Sequence, residues 1–145
     1  QSLLATGSVF LILLVLGLQK AVIVASLGAT TFVVFALPGK LTAKPRNVIG
    51  GHITGLLSGF TGAGILYLLP QPESIFVESA VFAITIGLAI FLMVVIDTEH
   101  PPAAGTALAV AMEGFSLPTA GGVIFFAVML SLIRWALKEY LRDLA

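Results

Sequence analysis

Asp97, Glu99 and His100 follow directly on the apolar run Ile84–Ile96, and the helix-breaking pair Pro101 and Pro102 comes next. Carboxylates and an imidazole at such a place can carry protons, hold a cation or pair with a base. An imidazole does so near physiological pH. Pro101 and Pro102 fix φ and suit the first turn of a helix running to Met112. The amides of Ala103, Ala104, Gly105 and Thr106 then point back toward the break, with the positive end of the helix dipole behind them, which favours an anion. Ser26–Thr31 offers a second such terminus. Ser26 is its N-cap, Gly28 allows close backbone approach, and Thr30 and Thr31 add hydroxyls. Two carboxylates repel an anion, so Asp97 and Glu99 either face away, paired with Arg46 or His100, or handle protons or cations. His52 follows Gly50-Gly51 at the start of a spanning helix and has packing as its alternative role. No recognised spacing gathers His52, His100, Asp97 and Glu99 around a metal, and no cofactor is expected. A hydrolase pair of Ser58 and His52 lacks the Gly-x-Ser-x-Gly elbow, so an enzyme is not expected.

These residues sit in a chain that cannot solvate its own surface. Of its 145 residues 59% are hydrophobic and 10% charged, with a mean hydropathy of +1.13 and net charge zero. A soluble domain carries about 25% charged residues. The solvent is a bilayer, and nothing points to a nucleic-acid partner. Cysteine is absent, which excludes disulfides. The first apolar segment does not read as a cleaved signal peptide, and the chain opening at Gln1 allows for residues upstream.

A spanning helix needs about 20 apolar residues. Val48–Leu69, Ile75–Ile96 and Leu117–Leu137 meet that length, and Leu3–Leu18 is a fourth, slightly short span. Leu69-Pro70-Gln71-Pro72 reads as a tight hairpin, and Pro118 sits where a helix start tolerates it. Ala21–Leu37 is interrupted by Ser26, Gly28, Thr30 and Thr31. Pro102–Met112 is too short to cross. Irregular backbone at membrane depth survives only against protein or a wet cavity. The Gly51, Gly55, Gly59 spacing suits close helix packing, and glycine-rich faces could also join copies of the chain. The expected fold is therefore all-α and polytopic, a single transmembrane domain over 1–145. It has about four full spans plus two short broken or re-entrant half-helical segments.

Ser26–Leu37 and Pro101–Met112 align at an offset of 75, which places Thr31 on Thr106, and Gly50-Gly51 matches Gly121-Gly122. Each half, 1–69 and 75–145, reads long helix, interrupted segment, long helix. An odd number of crossings per half makes the halves inverted, as in many secondary transporters; interrupted segments that re-enter and leave on one side give four full spans and parallel halves. With six crossings Lys40, Lys44, Arg46, Lys138 and Arg142 share one side, expected to be cytoplasmic, together with Asp97–His100. Lys20, Glu73 and Glu113 fall on the other. Arg134, Lys138 and Arg142 read as interfacial anchors.

Taken together, SLGATTFVVFALP, Lys44-Pro45-Arg46-Asn47, Gly50-Gly51-His52 and Glu99-His100-Pro101-Pro102 followed by Thr106 resemble the HPP family of integral membrane proteins. The matches run in the family's order over roughly Ser26 to Ala136. The family more often reads Ala-Gly-Ala-Thr after the prolines, where this chain has Ala103-Ala104-Gly105-Thr106. The resemblance implies four spans and transport of a small inorganic anion, nitrite leading. It also implies a prokaryotic inner membrane, or a plastid envelope in a plant. The motif positions it marks are Ser26, Gly28, Arg46, Asn47, Gly51, His52, His100, Pro101, Pro102 and Thr106. Two other readings stay open: a non-transporting scaffold that assembles through glycine faces, and a proton-linked cation carrier using Asp97, Glu99 and His100. A transporter should have a polar cavity reaching the Pro101–Thr106 turn, and a scaffold should pack it dry. On helix-end geometry alone, His100 is expected to matter more than His52.

Overall fold

The computed structural model describes residues 1–16, 21–70 and 74–144. Among these are six α-helices: α1 (Ser2–Leu16), α2 (Ala21–Ala36), α3 (Pro45–Leu68), α4 (Ile75–Val95), α5 (Pro102–Glu113) and α6 (Leu117–Leu137), with a 3-10 turn at Leu41–Ala43 between α2 and α3. Three of them, α3, α4 and α6, are long and apolar enough to cross a membrane. The other three have 15, 16 and 12 residues. At 1.5 Å per residue α5 is about 18 Å long, well short of a hydrocarbon core of about 30 Å. Pro45, Pro102 and Pro118 each stand in a first helical turn, where the missing N–H has no intrahelical partner to lose. Much of the Leu69–Pro72 hairpin, together with Lys20 and Glu73, lies outside the described residues.

The expected broken segment before α5 is present. α4 stops at Val95, and α5 starts anew at Pro102. What stops α4 is a Schellman turn. Thr98 N–H donates to the Met93 carbonyl at 2.9 Å and Asp97 N–H to Val94 at 3.3 Å, with Asp97 itself left-handed at φ 57°. Few side chains tolerate that conformation, and Asp is one of them. Asp97→Asn and Asp97→Gly are therefore expected to melt with the wild-type chain. Asp97→Val should lose about 1–2 kcal/mol to the strained backbone. A thermal melt of the purified variants checks this, and an unchanged Asp97→Val would remove the turn from the account.

The first half differs from expectation. Ser26 is not an N-cap, because α2 begins at Ala21 and runs unbroken through Ser26–Thr31. Its threonines do not interrupt it, since the Thr30 and Thr31 hydroxyls lie 3.1 and 2.9 Å from the carbonyls of Ser26 and Leu27 four residues back and leave the backbone ladder intact. The polar residues mark a face of the helix and not its end.

α3 is the axis of the bundle. It runs parallel to α5, and Gly51, Gly55, Gly59 and Gly62 line the contact. A Cβ on Gly51 would lie 2.5 Å from the Cβ of His100, and one on Gly59 2.6 Å from the Ala107 carbonyl oxygen. The small-residue spacing thus serves packing inside this chain. Every substantial helix–helix contact keeps its counterpart when α1, α2 and α3 are exchanged for α4, α5 and α6. The closest pairing, α3 with α5, then maps onto α6 with α2.

The basic side chains of the described residues collect at one end of the bundle, with Asp97 and Asp143 among them. Leu144 N–H bonds Ala36, Gly39 N–H bonds Asp143, and the Gln1 amide reaches the Phe35 and Arg142 carbonyls. Arg46 pairs with Asp97. One end of the bundle therefore gathers Lys40, Lys44, Arg46, Lys138 and Arg142 around the start of α3 and the ends of α2, α4 and α6. The flanks expose apolar side chains such as Phe10, Leu14, Phe91, Val94 and Trp135, as a lipid-facing surface requires.

Candidate functional site

Ser26, Thr30, His52, His100 and Thr106 come together in the interior, contributed by α2, α3, α5 and the break before α5. Each is at most 5% exposed. The side chains form a continuous chain of contacts at hydrogen-bond distance. His100 Nδ1 contacts the Thr42 carbonyl at 2.8 Å, and its Nε2 lies 3.0 Å from the Thr30 hydroxyl. The same hydroxyl is 2.9 Å from His52 Nε2, and His52 Nδ1 is 2.9 Å from Thr106 Oγ1. Thr106 Oγ1 meets Ser26 Oγ at 2.8 Å, and Ser26 donates to the Pro102 carbonyl at 2.6 Å. The imidazole centroids are 5.1 Å apart.

The sequence builds this locally by helical spacing. Ser26 with Thr30, and Pro102 with Thr106, are four apart and share a face on α2 and α5 respectively. His52 enters from α3 seven residues past Pro45, about 10 Å in from the basic end. Gly51 beside it leaves room for the Cβ of His100. The chain's carbonyl ends, Thr42 and Pro102, carry no sequence signal, because any residue supplies a carbonyl.

Other residues singled out by sequence hold the site or lie apart from it. Asn47 is buried and donates to the Glu99 carbonyl at 3.2 Å, and Arg46 donates to Ile96 at 3.1 Å. The first turn of α3 thus clamps the break. Asp97 is 62% exposed and faces away, paired with Arg46 at 2.8 Å. Glu99 has a buried carboxylate oxygen, Oε2, with no hydrogen-bond partner. Gly28 has nothing within 4 Å of where a Cβ would stand and borders, with Thr31, an open groove beside α1. Thr30, not Thr31, shares the cluster with Thr106. Gly105 faces Ser26, 3.3 Å from a Cβ on the glycine to that of the serine. Ser58 Oγ is buried without a partner, and His52 bonds Thr30 and Thr106 instead.

The proposed amide site at the start of α5 is closed in this conformation. Ala103 N–H donates to His100 at 2.9 Å and Ala104 N–H to Pro101 at 3.1 Å, so tight turns take up two of the four amides. A cavity of about 260 Å³ does reach the break, bordered by Glu99, His100, Pro101 and Ala104 and on the α4 side by Ile90, Met93 and Val94. It stops short of Thr106. Among the described residues no three His, Asp or Glu side chains converge as metal ligands would.

Comparison with known proteins agrees with the architecture. The family model for the HPP transmembrane region matches residues 1–138. A transmembrane protein of Dictyostelium discoideum is 33% identical over 90 residues, 62% of this chain and 30% of the relative. The chain thus matches under a third of that relative's length. No solved structure matches. A chain matched over nearly its whole length, with apolar helices around a broken segment at its His-Pro-Pro tripeptide, belongs to the HPP family of integral membrane proteins.

Proposed function

We propose that the chain is a membrane carrier for a small inorganic anion, with nitrite the leading substrate. One observation carries the reading: a buried cluster of two imidazoles and three hydroxyls at a helix break inside an apolar bundle. Ionisable groups inside a membrane bundle are costly and mark transport pathways by default. No carboxylate belongs to the hydrogen-bonded chain, and Asp97 is turned outward, which favours an anion over a cation. The dipole of α5 points its positive end at His100. Opening the His100–Pro101 turn frees the Ala103 and Ala104 amides for the substrate. The matched contacts of the two halves suit an inverted repeat, whose halves rock about a shared site, and the basic end suits a cytoplasmic orientation.

The dry packing around Thr106 favours the second reading, a scaffold that does not transport. Its outward glycine faces would be those of Gly28, Gly64, Gly87 and Gly121, each with open space beside it. Uptake decides between the two. In liposomes of fixed protein content, initial nitrite uptake is expected to exceed that of potassium and of protein-free vesicles. Nitrate and chloride are the competitors that rank selectivity. Rates for every anion equal to those of protein-free vesicles would overturn the carrier.

A further inference from the structure

The hydrogen-bonded chain has two ends that can only accept, the carbonyls of Thr42 and Pro102. Between them lie six contacts: Thr42 to His100, His100 to Thr30, Thr30 to His52, His52 to Thr106, Thr106 to Ser26, and Ser26 to Pro102. Each hydroxyl brings one hydrogen, and each neutral imidazole brings one. Five hydrogens must then serve six contacts, so one contact is always empty. Thr30 also lies 3.1 Å from the Ser26 carbonyl, the longest of its contacts, which only adds to the shortage.

One added proton fills the chain without moving a heavy atom. With the proton on His100, that ring donates to Thr42 and to Thr30. Thr30 donates to His52, His52 to Thr106, Thr106 to Ser26, and Ser26 to Pro102. With it on His52, that ring donates to Thr30 and Thr106, while Thr30 donates to His100. The two arrangements differ by the transfer of one proton into the Thr30 hydroxyl and one out of it. We propose that this chain binds a single exchangeable proton, shared between His100 and His52 through Thr30, and that this proton accompanies the anion across the membrane. The second clause rests on the carrier reading above, and the first does not.

The surroundings limit the charge to one. The imidazoles are 5.1 Å apart, so a second proton meets a like charge at close range. Among the described residues, α2 presents Ser26 and Thr30 to the rings, α5 presents Pro102 and Thr106, and α4 presents Met93 and its apolar neighbours. None of these ionises. Glu99 borders the same cavity as His100, and the Arg46–Asp97 pair lies beyond it at the exposed end. Symport of a monovalent anion with one proton is electroneutral, so a pH gradient drives it and a membrane potential does not.

The chain has two histidines, so 15N-histidine labelling with a tag free of histidine reports this pair alone. In bilayers, both rings are expected to titrate together with a common midpoint, sharing about one proton between them. Thr30→Val should confine the charge to one ring, and Thr30→Ser should restore the sharing. Two independent full titrations in the wild-type chain, or a shared titration that persists in Thr30→Val, would overturn the proton site. A pH dye inside the liposomes then reads coupling. The wild-type chain should move about one proton per nitrite, and uptake with no proton movement overturns the coupling alone. Shared titration with no anion uptake sinks the carrier reading, and the coupling with it, while the proton site stands.

Discussion

His52→Ala is expected to slow nitrite uptake as steeply as His100→Ala, each by about tenfold to a hundredfold at matched membrane abundance. The sequence ranks His100 higher, because it adjoins the helix break while His52 sits within a long helix. The geometry makes them equivalent. Each ring is fully buried with both nitrogens at hydrogen-bond distance from a partner, and each is a link the chain has no second path around. A buried hydrogen bond contributes roughly 0.5–1.5 kcal/mol, so losing two costs about 1–3 kcal/mol, which brackets the stated range at about 1.4 kcal/mol per tenfold. Loss of folding is the rival cause, and a melting curve on each variant separates it. If folded His52→Ala transports at the wild-type rate while His100→Ala does not, His52 is packing and the site is the cavity beside His100.

The parts of this fold that were legible are those written in long runs and hard punctuation. α6 has the limits that its apolar run and Pro118 set, and α3 and α4 begin or end within a few residues of theirs. Pro101 and Pro102 marked the start of α5 because proline can neither continue α4 nor object to a first turn. α2 reads as interrupted in the sequence, and is continuous, for a physical reason. Serine and threonine look like interruptions in an apolar run, yet in a helix they bond the carbonyl one turn back and leave the backbone intact. The spacing of Ser26 and Thr30, four apart, was the available signal. The meeting of His52 with His100 was not legible. It depends on α3 and α5 lying parallel in one register, and 48 residues of sequence separate the rings. That register is set by glycines, whose spacing announces close packing without naming the partner.

Those glycines give the largest structural effect expected from a single methyl group. Gly55→Ala should unfold the chain more readily and abolish transport, while Gly28→Ala and Gly64→Ala should do neither. A Cβ on Gly55 would stand against the carbonyl oxygen of Ala103, and the backbone of α5 cannot turn aside as a side chain can. The next glycine shows the scale: a Cβ on Gly59 would lie 2.6 Å from the Ala107 oxygen, where ordinary contacts begin at 3.4 Å. α3 and α5 must then separate by close to an ångström. Overpacking of that kind costs about 1–3 kcal/mol. The site suffers beyond the stability loss, because His52 on α3 reaches Thr106 on α5 across the same seam. Their contact of 2.9 Å would stretch past the limit of a hydrogen bond. Gly28 and Gly64 have nothing within 4 Å to meet, so alanine there tests helix propensity alone, which it improves. Melting temperature and initial uptake for the three variants make the comparison. If Gly55→Ala melts and transports like Gly28→Ala, the α3–α5 seam is looser than this packing requires, and the hydrogen-bonded chain that it aligns loses its support.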